Sequence, residues 1–189
     1  MFDNIRADTI QTLHRRRAFN AIDIMDLLLL ESQGIQTLMI YRFGRWLGSI
    51  RTHRFGWVIA VPLYPAYWIL SVCVRKAYGI DLDQSADIAP GLCITHFGGI
   101  EVRNCRIGPR CNIHQQVKLG PGSAMDKGPM IGEGVYIGAH AQIYADVSIG
   151  DGATIGAGAT VTEDIPHHCL VLGNPGRITQ QNYDNSALL

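Results

Sequence analysis

Aliphatic residues recur every six positions through the second half of the chain. A second series of small apolar residues keeps the same period. The aliphatic series is Ile131, Ile137, Ile143, Ile149, Ile155 and Val161, and the small series is Val135, Ala141, Val147, Ala153 and Ala159. A period of six fits neither an amphipathic helix nor a two-faced strand. The pattern therefore predicts a solenoid of stacked, repeating turns.

Most of the repeats have the form isoleucine, glycine, two variable residues and a small residue. The repeats read IGEGV, IGAHA, IYADV, IGDGA and IGAGA, and IGPRC from Ile107 and IHQQV from Ile113 precede them, with Ile88, Ile94 and Ile100 further upstream. Each unit supplies a short strand with an inward aliphatic side chain, then a corner where glycine takes positive φ without steric cost. Three units would close one triangular coil, and only a stack of coils buries a continuous aliphatic column.

These repeats resemble the hexapeptide-repeat acyltransferases, whose fold is a left-handed parallel β-helix. The resemblance covers roughly residues 80–178. It also supplies the handedness, because the general crossover rule favours the right-handed sense. We therefore expect an all-β left-handed parallel β-helix, a triangular prism, at 80–178. A helical segment at 1–79 should precede it and a tail at 179–189 should follow. The family resemblance implies a homotrimer.

Charge divides the chain near Gly79. Residues 1–80 hold ten Lys and Arg against five Asp and Glu, whereas residues 81–189 hold six against eleven. No run of cations is dense enough to indicate a nucleic-acid partner. The five cysteines have no CxxC spacing, which favours buried free thiols in a reducing compartment over disulfides. The first ten residues lack the apolar core of a signal peptide, so we expect a cytoplasmic protein.

Helical spacing of apolar residues extends from Asp23 to Trp46, and Gly34 predicts a break between two helices. The stretch GIQTLMIYRFGRWL resembles the helix that precedes the coil in serine acetyltransferases and their relatives. This stretch narrows the resemblance from the hexapeptide-repeat family as a whole to the serine acetyltransferases and their relatives.

Residues 55–74 form an apolar stretch of twenty positions without a charge. Its length suits a membrane span, but Pro62 and Pro65 should interrupt a helix, and cations lie on both sides. Three interpretations stay open. The segment caps the first coil and fills a subunit interface, lies peripherally on the inner face of an anionic cytoplasmic membrane, or spans the membrane.

The segment GIDLDQSADIAPGLCITHFGG resembles the serine acetyltransferase stretch that carries the catalytic histidine and its orienting aspartate. The resemblance assigns these roles to His96 and Asp81. A histidine suits the chemistry, because a base of near-neutral pKa can take the proton of an acceptor hydroxyl as it attacks a thioester. A carboxylate on the other ring nitrogen would fix the tautomer and stabilise the imidazolium.

Two departures from the serine acetyltransferase pattern bear on the acceptor. Thr95 stands where an acidic residue usually precedes the histidine, and Lys127, Gly128 and Pro129 stand where the family carries Arg-His-Pro. The remaining pattern resembles the enzymes of that family that O-acetylate sugars of surface polysaccharides. We therefore expect an acetyl-CoA-dependent O-acetyltransferase acting on a saccharide or a lipid-linked saccharide, with His114 and Lys127 as acceptor-binding residues. Serine O-acetylation is the first alternative.

The resemblance also implies that coenzyme A runs along a groove between neighbouring prisms, against small-residue turns. Gly138, Ala139, Gly156 and Ala157 offer such turns. Arg177, within the closing GNPGRI, is the expected phosphate partner, because guanidinium binds phosphate bidentately.

Two further classes of function remain open. γ-Class carbonic anhydrases share the coil and bind zinc through three histidines, but here His96, His114 and His140 fall in different registers of the repeat, so we expect no metal. A trimeric scaffold without catalytic activity is the other class.

Overall fold

The computed structural model describes residues 1–16, 33–122, 127–144 and 146–189. Within these ranges it has helices α1 (Phe2–Arg16), α2 (Gln33–Arg51) and α3 (Gly56–Tyr78), followed by fifteen short strands. The strands form three sheets, the faces of a prism, and the chain visits them in turn. Sheet A contains β1 (Ile80–Leu82), β4 (Ile100–Val102), β7 (Lys118–Gly120), β10 (Gln142–Tyr144) and β13 (Thr160–Val161).

Sheets B and C complete the prism. Sheet B contains β2 (Asp87–Ile88), β5 (Arg106–Ile107), β8 (Met130–Ile131) and β11 (Ser148–Ile149). Sheet C contains β3 (Cys93–Ile94), β6 (Asn112–Ile113), β9 (Tyr136–Ile137), β12 (Thr154–Ile155), β14 (Leu170–Leu172) and β15 (Arg177–Gln180). Neighbouring strands pair in parallel, except that β15 turns back antiparallel to β14. The predicted parallel β-helix with an N-terminal helical segment is confirmed.

The core is the aliphatic column that the six-residue period predicts. Strand register places Ile113 beside Ile137 and Ile137 beside Ile155, and all three side chains are fully buried. The small residues of the second series are buried as well. Four of the five cysteines, Cys93, Cys105, Cys111 and Cys169, are buried free thiols, whereas Cys73 is an exposed thiol on α3.

Helices α1 and α2 are anchored to the first coil by a buried ion pair. The Asp8 carboxylate accepts hydrogen bonds from the backbone N–H of Gly91 (2.7 Å) and Leu92 (3.2 Å) and lies 3.1 Å from the Nε of Arg42. Arg42 also donates to the carbonyl oxygens of Ile88 and Ala89. Burial raises the pKa of Asp8 above its usual value, while Arg42 and the two amides oppose that rise.

The structure bears on two local predictions for the helices, and it contradicts the interruption at the prolines. Gly34 lies in the first turn of α2, where an added Cβ would come 2.7 Å from the carbonyl oxygen of Ile94. Its role is therefore close packing, and the predicted helix before it lies largely outside the described residues. Helix α3 runs on through Pro62 and Pro65. Both prolines lie on the exposed side of the helix, where the ring clash and the lost hydrogen bond disturb no packed surface.

The C-terminal tail folds back towards sheet C. Asn185 is buried, and its amide nitrogen donates to the carbonyl oxygens of Gly134 (2.9 Å) and Ala153 (3.4 Å). Asn112 of β6 donates to the carbonyl oxygen of Leu188 (3.1 Å). The tail thus contacts β6, the strand that leads directly into the next turn.

Candidate active site

His96 and the residues predicted to bind the donor lie along one edge of the prism. We call it the C–A edge, because each of its turns leaves sheet C and enters sheet A. His96 lies in the turn between β3 and β4, Ala139 in the turn between β9 and β10, and Ala157 in the turn between β12 and β13. Because neighbouring strands are about 4.8 Å apart, three coil steps separate His96 from Ala157 by about 14 Å. Arg177 begins β15, two strand spacings beyond β12 and so about 10 Å further along.

Hydrogen bonds between successive turns hold this edge together. The N–H of Gln116 donates to the carbonyl oxygen of Gly98 (2.8 Å), that of His140 to Gln115 (3.0 Å), and that of Gly158 to Ala139 (2.7 Å). Gln116, His140 and Gly158 all have positive φ. The turns therefore stack as rigid copies, and residues that are about twenty positions apart in sequence become neighbours.

His96 is exposed and stands at the head of an aromatic row. Its ring centroid is 5.5 Å from that of His114, which lies 5.0 Å from that of Tyr136. The structure therefore brings the predicted acceptor residue His114 next to the predicted base. Among the described residues, no acidic side chain makes a hydrogen bond or an ion pair with the imidazole of His96.

Asp81 is engaged with two arginines. Its carboxylate accepts a hydrogen bond from Arg103 (2.8 Å) and lies 3.7 Å from Arg75. Arg103 directly follows β4, the strand that pairs with the strand of Asp81, and a permanent cation is a stronger partner for a carboxylate than a neutral imidazole. The hydrogen bond with Asp81 raises the pKa of Arg103. The expected pairing of Asp81 with His96 is thus absent from this geometry, and Arg103 is the partner that the sequence did not indicate.

Polar residues beside the histidines were also missed. The hydroxyl of Thr95 lies 2.7 Å from the Oδ1 of Asn112, the residue that also holds the tail. The side-chain oxygen of Gln115 is buried and has no hydrogen-bond donor among the described residues. The sequence signal for both is their position, since Asn112 directly precedes the repeat IHQQV and Gln115 lies within it, next to His114.

Lys127 lies on a different edge of the prism from His96. It belongs to the loop that leaves β7 in sheet A and enters β8 in sheet B, and its side chain is exposed. The four residues before it, 123–126, lie outside the described ranges. Within one chain the structure therefore does not bring Lys127 to His96.

The predicted donor-binding turns divide into two groups. An added Cβ on Gly138 would come 2.7 Å from the backbone nitrogen of Ala157, and one on Gly156 would clash with Leu172. Both glycines are required by stacking within the chain. Ala139 and Ala157, in contrast, lie partly or fully exposed on the C–A edge, where a ligand could approach. Arg177 is exposed and lies 3.7 Å from Glu163.

Comparison with known proteins identifies the family. The pattern of the bacterial transferase hexapeptide family (six repeats) matches residues 128–163. The serine acetyltransferase of Synechococcus elongatus is 31% identical over 183 residues, which are 94% of this chain and 68% of that protein. This chain belongs to the serine acetyltransferase family. The predicted enzyme class, an acyltransferase, is confirmed.

Solved serine acetyltransferase structures have the same fold. The enzyme from Brucella abortus superposes with a TM-score of 0.79 at 25% identity, covering 97% of this chain and 70% of that one. The Neisseria gonorrhoeae enzyme gives 0.76 at 26% identity, with 96% and 65% covered. A serine acetyltransferase in complex with CoA gives 0.74 at 27% identity, with 94% and 68% covered. This chain thus spans about two thirds of the length of these proteins.

The predicted saccharide acceptor was wrong. The relatives are serine acetyltransferases, which was the first alternative. The prediction gave too much weight to the missing Arg-His-Pro of the loop. Lys127 retains a cation at the position of that arginine, so the loop departs from the serine acetyltransferase pattern without losing its positive charge.

These relatives support neither a zinc enzyme like the γ-class carbonic anhydrases nor a trimeric scaffold without catalytic activity. His96 and His114 are ring neighbours, but no group of three or more His, Cys, Asp or Glu side chains within the described ranges could hold a metal ion. The relatives are named as serine acetyltransferases, which are enzymes and not scaffolds.

Proposed function

We propose that this protein transfers the acetyl group of acetyl-CoA to the hydroxyl of L-serine. One observation carries the proposal: His96, the residue that matches the family's catalytic histidine, heads an edge of stacked turns that leads past Ala139 and Ala157 to Arg177. Membership of the serine acetyltransferase family and the likeness to a CoA-bound relative support the choice of acceptor and donor. Free thiols in the core agree with a cytoplasmic location, which we also propose.

In the proposed reaction His96 is the general base. Its neutral imidazole takes the proton of the serine hydroxyl as the oxygen attacks the thioester carbonyl, a contribution of about 10²–10⁴ in rate. The tetrahedral intermediate then collapses, the bond between the carbonyl carbon and sulfur breaks, and the imidazolium returns its proton to the leaving thiolate. The acetyl group passes directly to serine, so no nucleophile of the enzyme is needed.

Asp81 would support this step only by changing partner. Its carboxylate is held by Arg103, so orienting His96 requires that it rotate away from that guanidinium as the imidazolium forms. If it does so, Asp81→Asn lowers kcat, because the imidazolium that forms loses its carboxylate partner. An unchanged kcat would remove Asp81 from the mechanism.

The donor would lie along the C–A edge. The thioester end would sit at His96, the pantetheine arm against Ala139 and Ala157, and a phosphate at Arg177, a span of about 24 Å for the five strand spacings from β3 to β15. The buried oxygen of Gln115, which finds no donor among the described residues, would accept an N–H group of the bound substrates. Arg177→Gln should raise KM for acetyl-CoA with little change in kcat.

The acceptor site would need two copies of the chain. His96 and Lys127 lie on different edges of one prism, so they can line one pocket only if the A–B edge of one copy meets the C–A edge of another. The homotrimer that the family resemblance implies would provide this arrangement three times. In it the Lys127 ammonium would hold the serine carboxylate, and His114 would line the same pocket.

Subunit mixing tests the shared site. His96→Ala and Lys127→Gln, each poorly active alone, are denatured, mixed and refolded together. If one copy supplies His96 and its neighbour Lys127, some pockets of the mixed oligomers regain both residues and activity returns. Mixtures that stay as inactive as the separate variants would place both residues in the same copy, or remove Lys127 from the site.

The identity of the acceptor is tested by measuring which acceptor the reaction depends on. The protein is incubated with acetyl-CoA and L-serine, and thiol release and O-acetylserine are measured. D-serine, L-alanine and buffer alone are the controls. Thiol release that depends on L-serine supports the proposal, and release that is the same without an acceptor contradicts it.

Lys127 is tested by conservative replacement. Lys127→Gln should raise KM for L-serine at least about tenfold, since a charge-assisted hydrogen bond to the carboxylate is lost, and Lys127→Arg should restore most of it. Arg106→Gln, an exposed cation on the neighbouring strand of sheet B, is the matched control. Equal effects of Lys127→Gln and Arg106→Gln would mean a general charge effect.

A further inference from the structure

Helix α3 carries many apolar side chains that are exposed to solvent. The side chains on this surface are between 44% and 61% exposed, an unusual accumulation on one helix. They are Trp57, Val58, Ile59, Val61, Tyr64, Trp68, Ile69 and Leu70. We call this set the α3 outer face.

The opposite side of α3 is already packed. Ala60 is fully buried, and the hydroxyl of Tyr67 accepts a hydrogen bond from Gln84 (2.9 Å) while its ring lies 6.4 Å from that of Phe43 on α2. Gly44 of α2 approaches Tyr67 so closely that an added Cβ would clash with its ring. A rotation of α3 to bury the outer face would therefore expose a packed side, so no described part of this chain covers the outer face.

Both ends of the outer face are basic. Residues 56–74 contain no acidic or basic side chain, Arg51 and Arg54 precede them, and Lys76 follows. Among the described residues, none of these three cations takes part in an ion pair, and all are exposed. Arg42 and Arg45, which lie further upstream on α2, are instead paired with Asp8 and Asp87.

This charge pattern discriminates between the possible occupants. If two copies paired through the outer face, a parallel arrangement would place each basic end against its equal. An antiparallel arrangement would place Arg51 and Arg54 against Lys76. Both arrangements bring like charges together, whereas an anionic surface complements both ends at once.

We propose that the α3 outer face lies in the plane of an anionic lipid surface. The helix is about 34 Å long, enough to span a bilayer by length alone. A span would carry α2 and its arginines into the hydrocarbon, because α2 packs along α3. In the plane of the membrane, Trp57, Tyr64 and Trp68 reach the headgroup boundary, the aliphatic residues enter the acyl region, and the cations meet lipid phosphates.

Vesicle flotation of the full chain tests the proposal. Vesicles of phosphatidylcholine alone are compared with vesicles in which part of the lipid is phosphatidylglycerol, at low and high salt. We expect binding to the anionic vesicles and weaker binding at high salt. The double variant Trp57→Ser/Trp68→Ser should lose at least about tenfold in affinity. The triple variant Arg51→Gln/Arg54→Gln/Lys76→Gln should lose about a hundredfold, at about fivefold per cation.

Matched substitutions outside α3 make the result specific. Met130→Ser removes an exposed apolar side chain from sheet B, and Arg110→Gln removes an exposed cation from the prism; both should bind like the unaltered protein. Circular dichroism shows that each variant is folded. Failure of the unaltered protein to float with anionic vesicles overturns the proposal, as does full binding by the double tryptophan variant. A larger assembly in solution that the tryptophan variant abolishes, without vesicle binding, would instead make this face an interface between copies.

Discussion

Removal of the Asp8 carboxylate should detach the N-terminal helices from the prism. The carboxylate accepts bonds from two backbone amides of the first coil and pairs with Arg42, all inside the protein. Asp8→Ala leaves the Arg42 cation buried without its counter-charge and leaves the amides of Gly91 and Leu92 without that acceptor. Such a loss costs about 3–5 kcal/mol. For a chain of this size it corresponds to a fall in Tm of about 6–20 °C.

Asp87→Ala is the matched control for this prediction. Asp87 also pairs with arginines, Arg45 at 3.2 Å and Arg106 at 3.7 Å, but all three side chains are about half exposed or more. Exposed pairs contribute about 0–1 kcal/mol, so Asp87→Ala should lower Tm by only a few degrees.

Thermal unfolding at fixed protein concentration, together with hydrogen exchange of α1 and the first coil, measures both variants. The double variant Asp8→Ala/Arg42→Met should lose less stability than the sum of the two single variants, because no unpaired charge remains buried. If Asp8→Ala costs no more than Asp87→Ala, the reasoning about the anchor is wrong.

Two further predictions concern the prism. Burial raises the pKa of Cys105 and Cys111 to about 12, so their thiolates are scarce near pH 8. Iodoacetamide should therefore label the exposed Cys73 quickly and the two buried cysteines only after denaturation. Rapid labelling of all three thiols in the native protein would contradict the burial of Cys105 and Cys111. Gly138→Ala should destabilise the protein by about 1–3 kcal/mol, because the added methyl group would meet the next turn. Gly48→Ala in α2, where nothing lies within 4 Å, should stabilise it by about 0.5–1 kcal/mol; denaturant titration compares the two, and equal effects would refute the stacking argument.

The prism could be predicted from sequence because its information is local and repeated. Each hexapeptide carries its own inward aliphatic residue and its own corner, so the register of Ile113, Ile137 and Ile155 follows from counting. The alignment of His96 with Ala139 and Ala157 on one edge follows from the same count once the coils stack. The loop between β7 and β8 breaks the count, which is why the edge of Lys127 did not follow from the repeat.

The remaining contacts join residues that no period connects. Asp8 meets Arg42 and Gly91 across the whole N-terminal half, and neither pattern nor motif indicated that pair. Asp81 was assigned to His96 by resemblance, but Arg103 competes for it, and this competition depends on side-chain reach from the next coil. The acceptor was misjudged for a similar reason, because two absent residues of a loop were given more weight than the family of the whole chain.

The rate of L-serine acetylation by His96→Ala is the most direct test of the catalytic proposal. The variant should keep its fold, its oligomeric state and its affinity for coenzyme A, because the His96 ring is exposed and lies outside the buried core. Its kcat should fall at least about a hundredfold. A variant that binds coenzyme A normally and still acetylates L-serine at the original rate would show that His96 is not the base.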